Sequence, residues 1–210
     1  MRTEILIYDR FEELDAIGPY DALHRAGFDV AYVTAEPAER IEASRGTVVV
    51  PHRELSERME LLIVPGGPYT TRPDRGTWAE VQRGVLPPII AARHAAGATV
   101  ASVCTGAFLL AAGGLLEGRP ATTHHDDFDD LEGKAAQVLR DVRVVDDGDI
   151  VTSGGVTSGL DMALWLIERY KGREEADRAA EGMEYPRDDR VWRAQPPTGA
   201  AGRSGSASGP

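Results

Sequence analysis

Short apolar runs and helix-like patterns take turns along the first half of the chain. ILIY at 5–8 has the continuous hydrophobicity of a strand buried on both faces, and ELDAIGPYDALHRAG at 13–27 reads as a helix containing one proline. FDVAYVT at 28–34 predicts a second strand, and TVVVP at 47–51 a short one that suits one arm of a hairpin. LLIVPGG at 61–67 is a third strand of the parallel type, stopping at a glycine pair. A long helix is expected over 77–96, interrupted near Pro87 and Pro88. ATVASV at 98–103 is a further strand, and a helix over 105–116 begins at once. Strands and helices in this order predict an α/β fold whose mostly parallel sheet is covered on both faces.

The second half is less regular. RVVDDGDIVTSGG at 143–155 predicts a hairpin turning at Asp147-Gly148. A helix over 157–170 places Leu160, Ala163, Leu164 and Ile167 on one face, and a short helix near 173–182 completes the fold. From Ala194 the chain reads AQPPTGAAGRSGSASGP, which has almost nothing to bury. The expected organisation is one domain over 1–193 and a disordered Gly/Ser/Pro tail over 194–210, a size that 210 residues accommodate with a single large core.

Charge and cysteine usage narrow the chemistry. Acidic residues outnumber basic ones by 34 to 23, which disfavours a general nucleic-acid-binding surface. Only Lys134 and Lys171 are lysines, a bias that looks compositional rather than phosphate-binding. The single cysteine permits neither an internal disulfide nor a Cys-rich metal site. No apolar run reaches the roughly 18 residues of a membrane span. The opening MRTEILIYD has no signal-peptide pattern, so the expected location is cytoplasmic.

That cysteine carries the strongest signal. Strand ATVASV leads into Cys104-Thr105-Gly106, and a side chain on so tight a strand-to-helix turn projects above the carboxyl edge of the sheet. Helix N–H groups beside the sulfur would favour thiolate, and the Thr105 N–H is free to steady an anion. A buried structural cysteine is the plain alternative. Gly66 and Gly67 end a neighbouring strand, where ligands of open α/β sheets bind, and offer a second backbone donor; an ordinary turn would also explain them. Asp15 is either a helix-terminal acid or a crevice carboxyl that shuttles a proton to the thiol, while Asp21 is expected to be exposed. His124 and His125 precede Asp126, Asp127, Asp129 and Asp130, but this spacing matches no zinc or calcium template, so a solvated acidic loop is expected. One of these histidines near the thiol would serve as a base. His24, His52 and His94 lie in peripheral patterns.

FEELDAIGPYDAL at 11–23, LLIVPGG at 61–67, ASVCTGAFLLAAGGLLEGRPATTHH at 101–125 and VTSGGVTSGLDMALWLIE at 151–168 together resemble the ThiJ/PfpI superfamily. These are flavodoxin-like relatives of the class I glutamine amidotransferases, and the likeness runs over roughly 3–182, nearest to the isonitrile hydratase branch. The resemblance implies a three-layer sandwich with Cys104 as nucleophile on a strained elbow. Asp15 then matches the acid at the sulfur, an aspartate in hydratases and usually a glutamate in deglycase and glyoxalase-like branches. Thr105 matches the residue following the nucleophile, Gly67 the backbone donor, and His124 the histidine of a Thr-Thr-His segment. Where the hydratases continue with tryptophan, this chain has His125. The implied activity is cofactor-free and metal-free hydration of an isonitrile to an N-substituted formamide, in a homodimer that takes a small-molecule substrate and binds neither nucleic acid nor membrane.

Other functions use the same residues. A glyoxalase- or deglycase-like enzyme acting on 2-oxoaldehydes shares the thiol and the acid. A cysteine hydrolase or peptidase requires His124 on the thiol. A redox sensor needs only an accessible, oxidisable Cys104. Relatives that regulate transcription add a helix-turn-helix domain where this chain has its Gly/Ser/Pro tail, which disfavours that role.

Overall fold

The computed structural model describes residues 1–194; the remaining residues of the expected tail, 195–210, lie outside the described part. Eight strands form the main sheet. Six come from the body of the alternating pattern: β1 (Arg2–Leu6), β2 (Asp29–Thr34), β5 (Arg53–Glu54), β6 (Leu61–Val64), β7 (Thr99–Val103) and β11 (Ile150–Ser153). The other two, β10 (Val144–Asp146) and β12 (Val191–Arg193), close one edge. Two small sheets stand apart, β3 (Ile41–Glu42) with β4 (Val48–Val49) and β8 (Pro120–Ala121) with β9 (Gln137–Val138). The main sheet runs β12-β10-β11-β7-β6-β1-β2-β5, and every pairing is parallel except β10 with β11.

Helices cover both faces. On one side lie α1 (Glu13–Arg25), α6 (Ser158–Lys171) and α7 (Arg173–Gly182), packed on one another. On the other lie α2 (Thr77–Arg83), α3 (Leu86–Ala95) and α4 (Ala107–Ala112), while the short α5 (Phe128–Leu131) sits in the loop between β8 and β9. Leu61, Leu62, Ile63 and Val64 of β6 are all buried, as a central strand covered by two helical layers requires. Each such side chain contributes about 1.5–3 kcal/mol of burial. Within the five central strands β1 is the switch point: the chain leaves it through α1 to β2 on one side, and β6 pairs on the other. The crevice outside the carboxyl ends of β1 and β6 is where ligands of such sheets bind.

Several boundaries differ from the pattern-based expectation, each for a physical reason. The first strand occupies Arg2–Leu6 rather than 5–8: its last ladder bond runs from the Ile7 N–H to the Val33 carbonyl at 2.9 Å, and Tyr8 beyond it hydrogen-bonds the Pro65 carbonyl. The helix expected over 77–96 is two helices, parted where Gly84 takes a left-handed conformation, with prolines opening the second. The helix expected over 105–116 stops at Ala112, before the Gly113-Gly114 pair. Among the described residues no helix is long and apolar enough to cross a membrane.

Candidate active site

Cys104 lies where β7 ends, on a single tight turn over Cys104–Gly106 that leads into α4. Its φ is +57°, in the left-handed region that a side chain occupies at a cost of about 1–3 kcal/mol. Neighbouring contacts hold it there. The Cys104 N–H donates to the Gly154 carbonyl at 3.1 Å, and the Thr123 hydroxyl donates to the Cys104 carbonyl at 2.8 Å. The turn is pressed onto the end of β6: a Cβ on Gly106 would lie 2.3 Å from the Val64 carbonyl oxygen, so only glycine fits.

Asp15, in the first turn of α1, is completely buried and lies on the inward rather than the exposed face of its helix, whereas Asp21 is exposed. Its Oδ2 accepts the Gly66 N–H at 2.9 Å, and its Oδ1 is buried with no hydrogen-bond partner. Gly66 is wedged between the two sides of the site. A Cβ there would meet Thr105 Oγ1 at 2.6 Å, Thr105 N at 2.7 Å and Asp15 Oδ2 at 3.0 Å. The Gly67 N–H does not point free into the crevice; it donates to Thr105 Oγ1 at 2.9 Å, while the Thr105 hydroxyl donates back to the Gly67 carbonyl at 2.7 Å.

The expectation that helix N–H groups make Cys104 a ready thiolate is corrected by the structure. Burial pushes the thiol well above its ordinary value, and the nearby Asp15 charge pushes it the same way, against the favourable Thr105 N–H. A one-turn elbow and a six-residue helix present too small a dipole to offset loss of water around a 6 % exposed residue. Burial also lifts the Asp15 carboxyl well above the usual range, opposed by its Gly66 hydrogen bond. Thiol and carboxyl are therefore both shifted upward, and the Asp15 charge acting on the thiol couples their titrations.

Neither histidine hydrogen-bonds to this pair, although Thr123, next to His124, bonds the Cys104 carbonyl. His124 lies against Gly155, where a Cβ would come within 2.2 Å of its ring. Its Nδ1 accepts the Asp126 N–H at 3.3 Å, its ring lies tilted against that of His125 at 4.3 Å, and among the described residues no hydrogen bond joins it to Cys104. His125 is exposed. Donor atoms of His124, His125 and Asp126 all fall within 4.8 Å of one another, so this is where a metal ion would be held if one bound.

Asp127 departs from the expected solvated loop. It is buried, accepts the Thr70 hydroxyl at 2.9 Å, and adds to the negative field at Cys104. Tyr8 and Thr77 also went unread in the sequence, yet their hydroxyls meet at 2.8 Å in the wall behind Thr105. A polar residue on a helix that begins with Thr77 gives no local sign of facing inward; only the tertiary fold brings it to Tyr8.

A buried cysteine at positive φ, on a strand-to-helix turn at the carboxyl edge of a flavodoxin-like sheet, defines an α/β protein with a nucleophile elbow. The sequence profile of the DJ-1/PfpI family matches residues 1–169, and the chain belongs to that family. Isonitrile hydratase of Pseudomonas putida is 31% identical over 187 residues, spanning 88% of this chain and 78% of that protein. Protein dj-1beta of Drosophila melanogaster is 26% identical over 176 residues, spanning 82% and 90%. The crystal structure of a ThiJ/PfpI family protein from Pseudomonas syringae superposes with a TM-score of 0.78 at 26% identity, covering 96% of this chain and 78% of that one.

Proposed function

We propose that this protein hydrates isonitriles, R–NC, to N-substituted formamides, with Cys104 as nucleophile and Asp15 as proton shuttle. The observation that carries the reading is the buried Cys104–Asp15 pair, thiol and carboxyl both pushed upward by burial, with Asp15 Oδ1 unpartnered. An isonitrile carbon must gain both a nucleophile and a proton, and a thiol beside a carboxyl supplies both.

The sulfur bonds to the terminal carbon while one proton goes to that same carbon, giving R–N=CH–S–Cys104. Water adds to this thioimidate carbon, with Asp15 accepting a proton from water as its own proton passes to nitrogen. The C–S bond then breaks, releasing R–NH–CHO and returning the thiol, so that the sum is one isonitrile plus one water. The Thr105 N–H beside the sulfur steadies charge on it. The Thr105 hydroxyl turns from the Gly67 carbonyl to orient substrate or water. The Gly67 N–H stays on the Thr105 oxygen and holds it while the proton turns. The likeness to the Pseudomonas putida isonitrile hydratase supports this assignment. His124 and His125 have no step in it. The catalytic domain is taken as 1–193, working as a homodimer.

Formamide release from a panel of alkyl and aryl isonitriles tests the reading, with methylglyoxal consumption measured alongside. Turnover that disappears in Cys104→Ala supports it. Methylglyoxal consumption without any formamide would move the protein to the glyoxalase side.

A further inference from the structure

Behind the elbow, three buried hydroxyls form a continuous chain between two backbone carbonyls. Tyr8 donates to the Pro65 carbonyl at 2.8 Å and lies 2.8 Å from Thr77 Oγ1, which lies 3.2 Å from Thr105 Oγ1. Thr105 in turn donates to the Gly67 carbonyl at 2.7 Å. Thr77 is completely buried, and Tyr8 and Thr105 nearly so. The links joining these groups need four hydroxyl protons, but three hydroxyls supply only three. Both ends must donate outward, because a carbonyl only accepts. The middle proton therefore belongs to Thr77, which shares it between the Tyr8 and Thr105 oxygens at 2.8 Å and 3.2 Å.

We propose that Thr77 is a positioning residue, which holds Thr105, and with it the N–H and hydroxyl beside Cys104, through this hydroxyl chain. The Thr77 proton on the Thr105 oxygen keeps that oxygen in place in the resting site, and continues to do so when Thr105 turns its O–H from Gly67 toward a ligand. The Thr105 N–H is the group beside the sulfur that favours thiolate, so loosening Thr105 weakens the thiolate. Glu12 and Asp15 at the start of α1, Asp127 from the loop after β8, and Tyr8 also face Cys104 electrostatically. Of these four only Tyr8 hydrogen-bonds Thr77. The inference rests on Cys104 being the nucleophile, but its main readout needs no isonitrile and so separates from the choice of substrate.

The test is iodoacetamide alkylation of Cys104, the single cysteine, followed by intact mass from neutral to alkaline pH. Wild type, Thr77→Val and Thr77→Ser are compared. Thr77→Val keeps the shape and removes the hydroxyl. It should alkylate about tenfold more slowly at neutral pH, its profile displaced by about one pH unit to the alkaline side. Thr77→Ser should restore the wild-type profile. On any isonitrile that wild type hydrates, kcat should fall in Thr77→Val with KM retained. A Thr77→Val profile that overlays wild type would overturn the proposal, as would a serine variant displaced as far as the valine one. If Thr77→Val does not fold, Thr77→Ala carries the same expectation and the same refuting result.

Discussion

Replacing Gly66 by alanine adds one methyl group at the most crowded point of the site. The Gly66 backbone lies outside the left-handed region, so alanine meets no conformational strain and the whole effect is steric. The new Cβ would sit 2.6 Å from Thr105 Oγ1, 2.7 Å from Thr105 N and 3.0 Å from Asp15 Oδ2. Two of these are backbone or short, braced groups rather than the end of a flexible side chain. Gly66 is also tied through its N–H to Asp15 and through its carbonyl to the Glu12 N–H at 2.7 Å. Overpacking of this kind costs about 1–3 kcal/mol. At about 2–4 °C per kcal/mol for a chain of this size, Tm should fall by roughly 2–12 °C. The methyl group also drives the Thr105 N–H from the sulfur, so Cys104 alkylation should slow. Thermal unfolding and alkylation measured on one preparation check both effects. An alanine variant with wild-type Tm and wild-type alkylation would refute the reasoning that Gly66 separates the two halves of the site.

Asp15→Asn keeps an oxygen for the Gly66 N–H but removes the charge and the proton. Cys104 should then alkylate faster at neutral pH, because the Asp15 charge helps to hold its pKa up, while isonitrile turnover falls by about 10²–10⁴-fold; slower alkylation or retained turnover would contradict the assignment. Asp15 binds its proton more tightly when folded than when unfolded, so the stability this contributes is complete below the ordinary aspartate pKa and is lost as pH rises through the folded-state value. Wild-type Tm should accordingly decline against that of Asp15→Asn as pH goes from acid to neutral, and parallel curves would show that Asp15 does not titrate in this way. Chelation with EDTA should leave turnover unchanged, since His124, His125 and Asp126 stand outside the proposed steps; lost turnover, restored by added zinc, would bring that cluster into the mechanism.

The frame of the fold was legible because its central strands carry short runs of mostly apolar residues. LLIV of β6 and TVASV of β7 could only be buried, and the glycine pair and the Cys-Thr-Gly corner that end them mark the sheet's carboxyl edge. The short strands β5, β8, β9 and β12 left no comparable trace: two or three residues carry no periodicity, and their pairing is set by the loops around them. In the site, Cys104 was readable from local pattern, and Asp15 only as one of two alternatives, because a carboxylate in the first turn of a helix is ordinary on either face. Asp127 looked like its exposed neighbours Asp126 and Asp129, and only the fold turns it inward to Thr70. Tyr8 and Thr77 stand 69 positions apart, and no spacing rule relates them. The protonation of the thiol was misjudged for the same reason: a helix terminus is visible in sequence, but the burial that outweighs it is not.

The central claim is that Cys104 bonds covalently to the isonitrile carbon. Intact mass of Asp15→Asn after exposure to an isonitrile tests it most directly, because slowed hydrolysis should let the thioimidate accumulate. The account predicts a mass increase equal to one isonitrile, located at Cys104, which decays with formamide release and is missing in Cys104→Ala. Formamide production that persists in Cys104→Ala would contradict it.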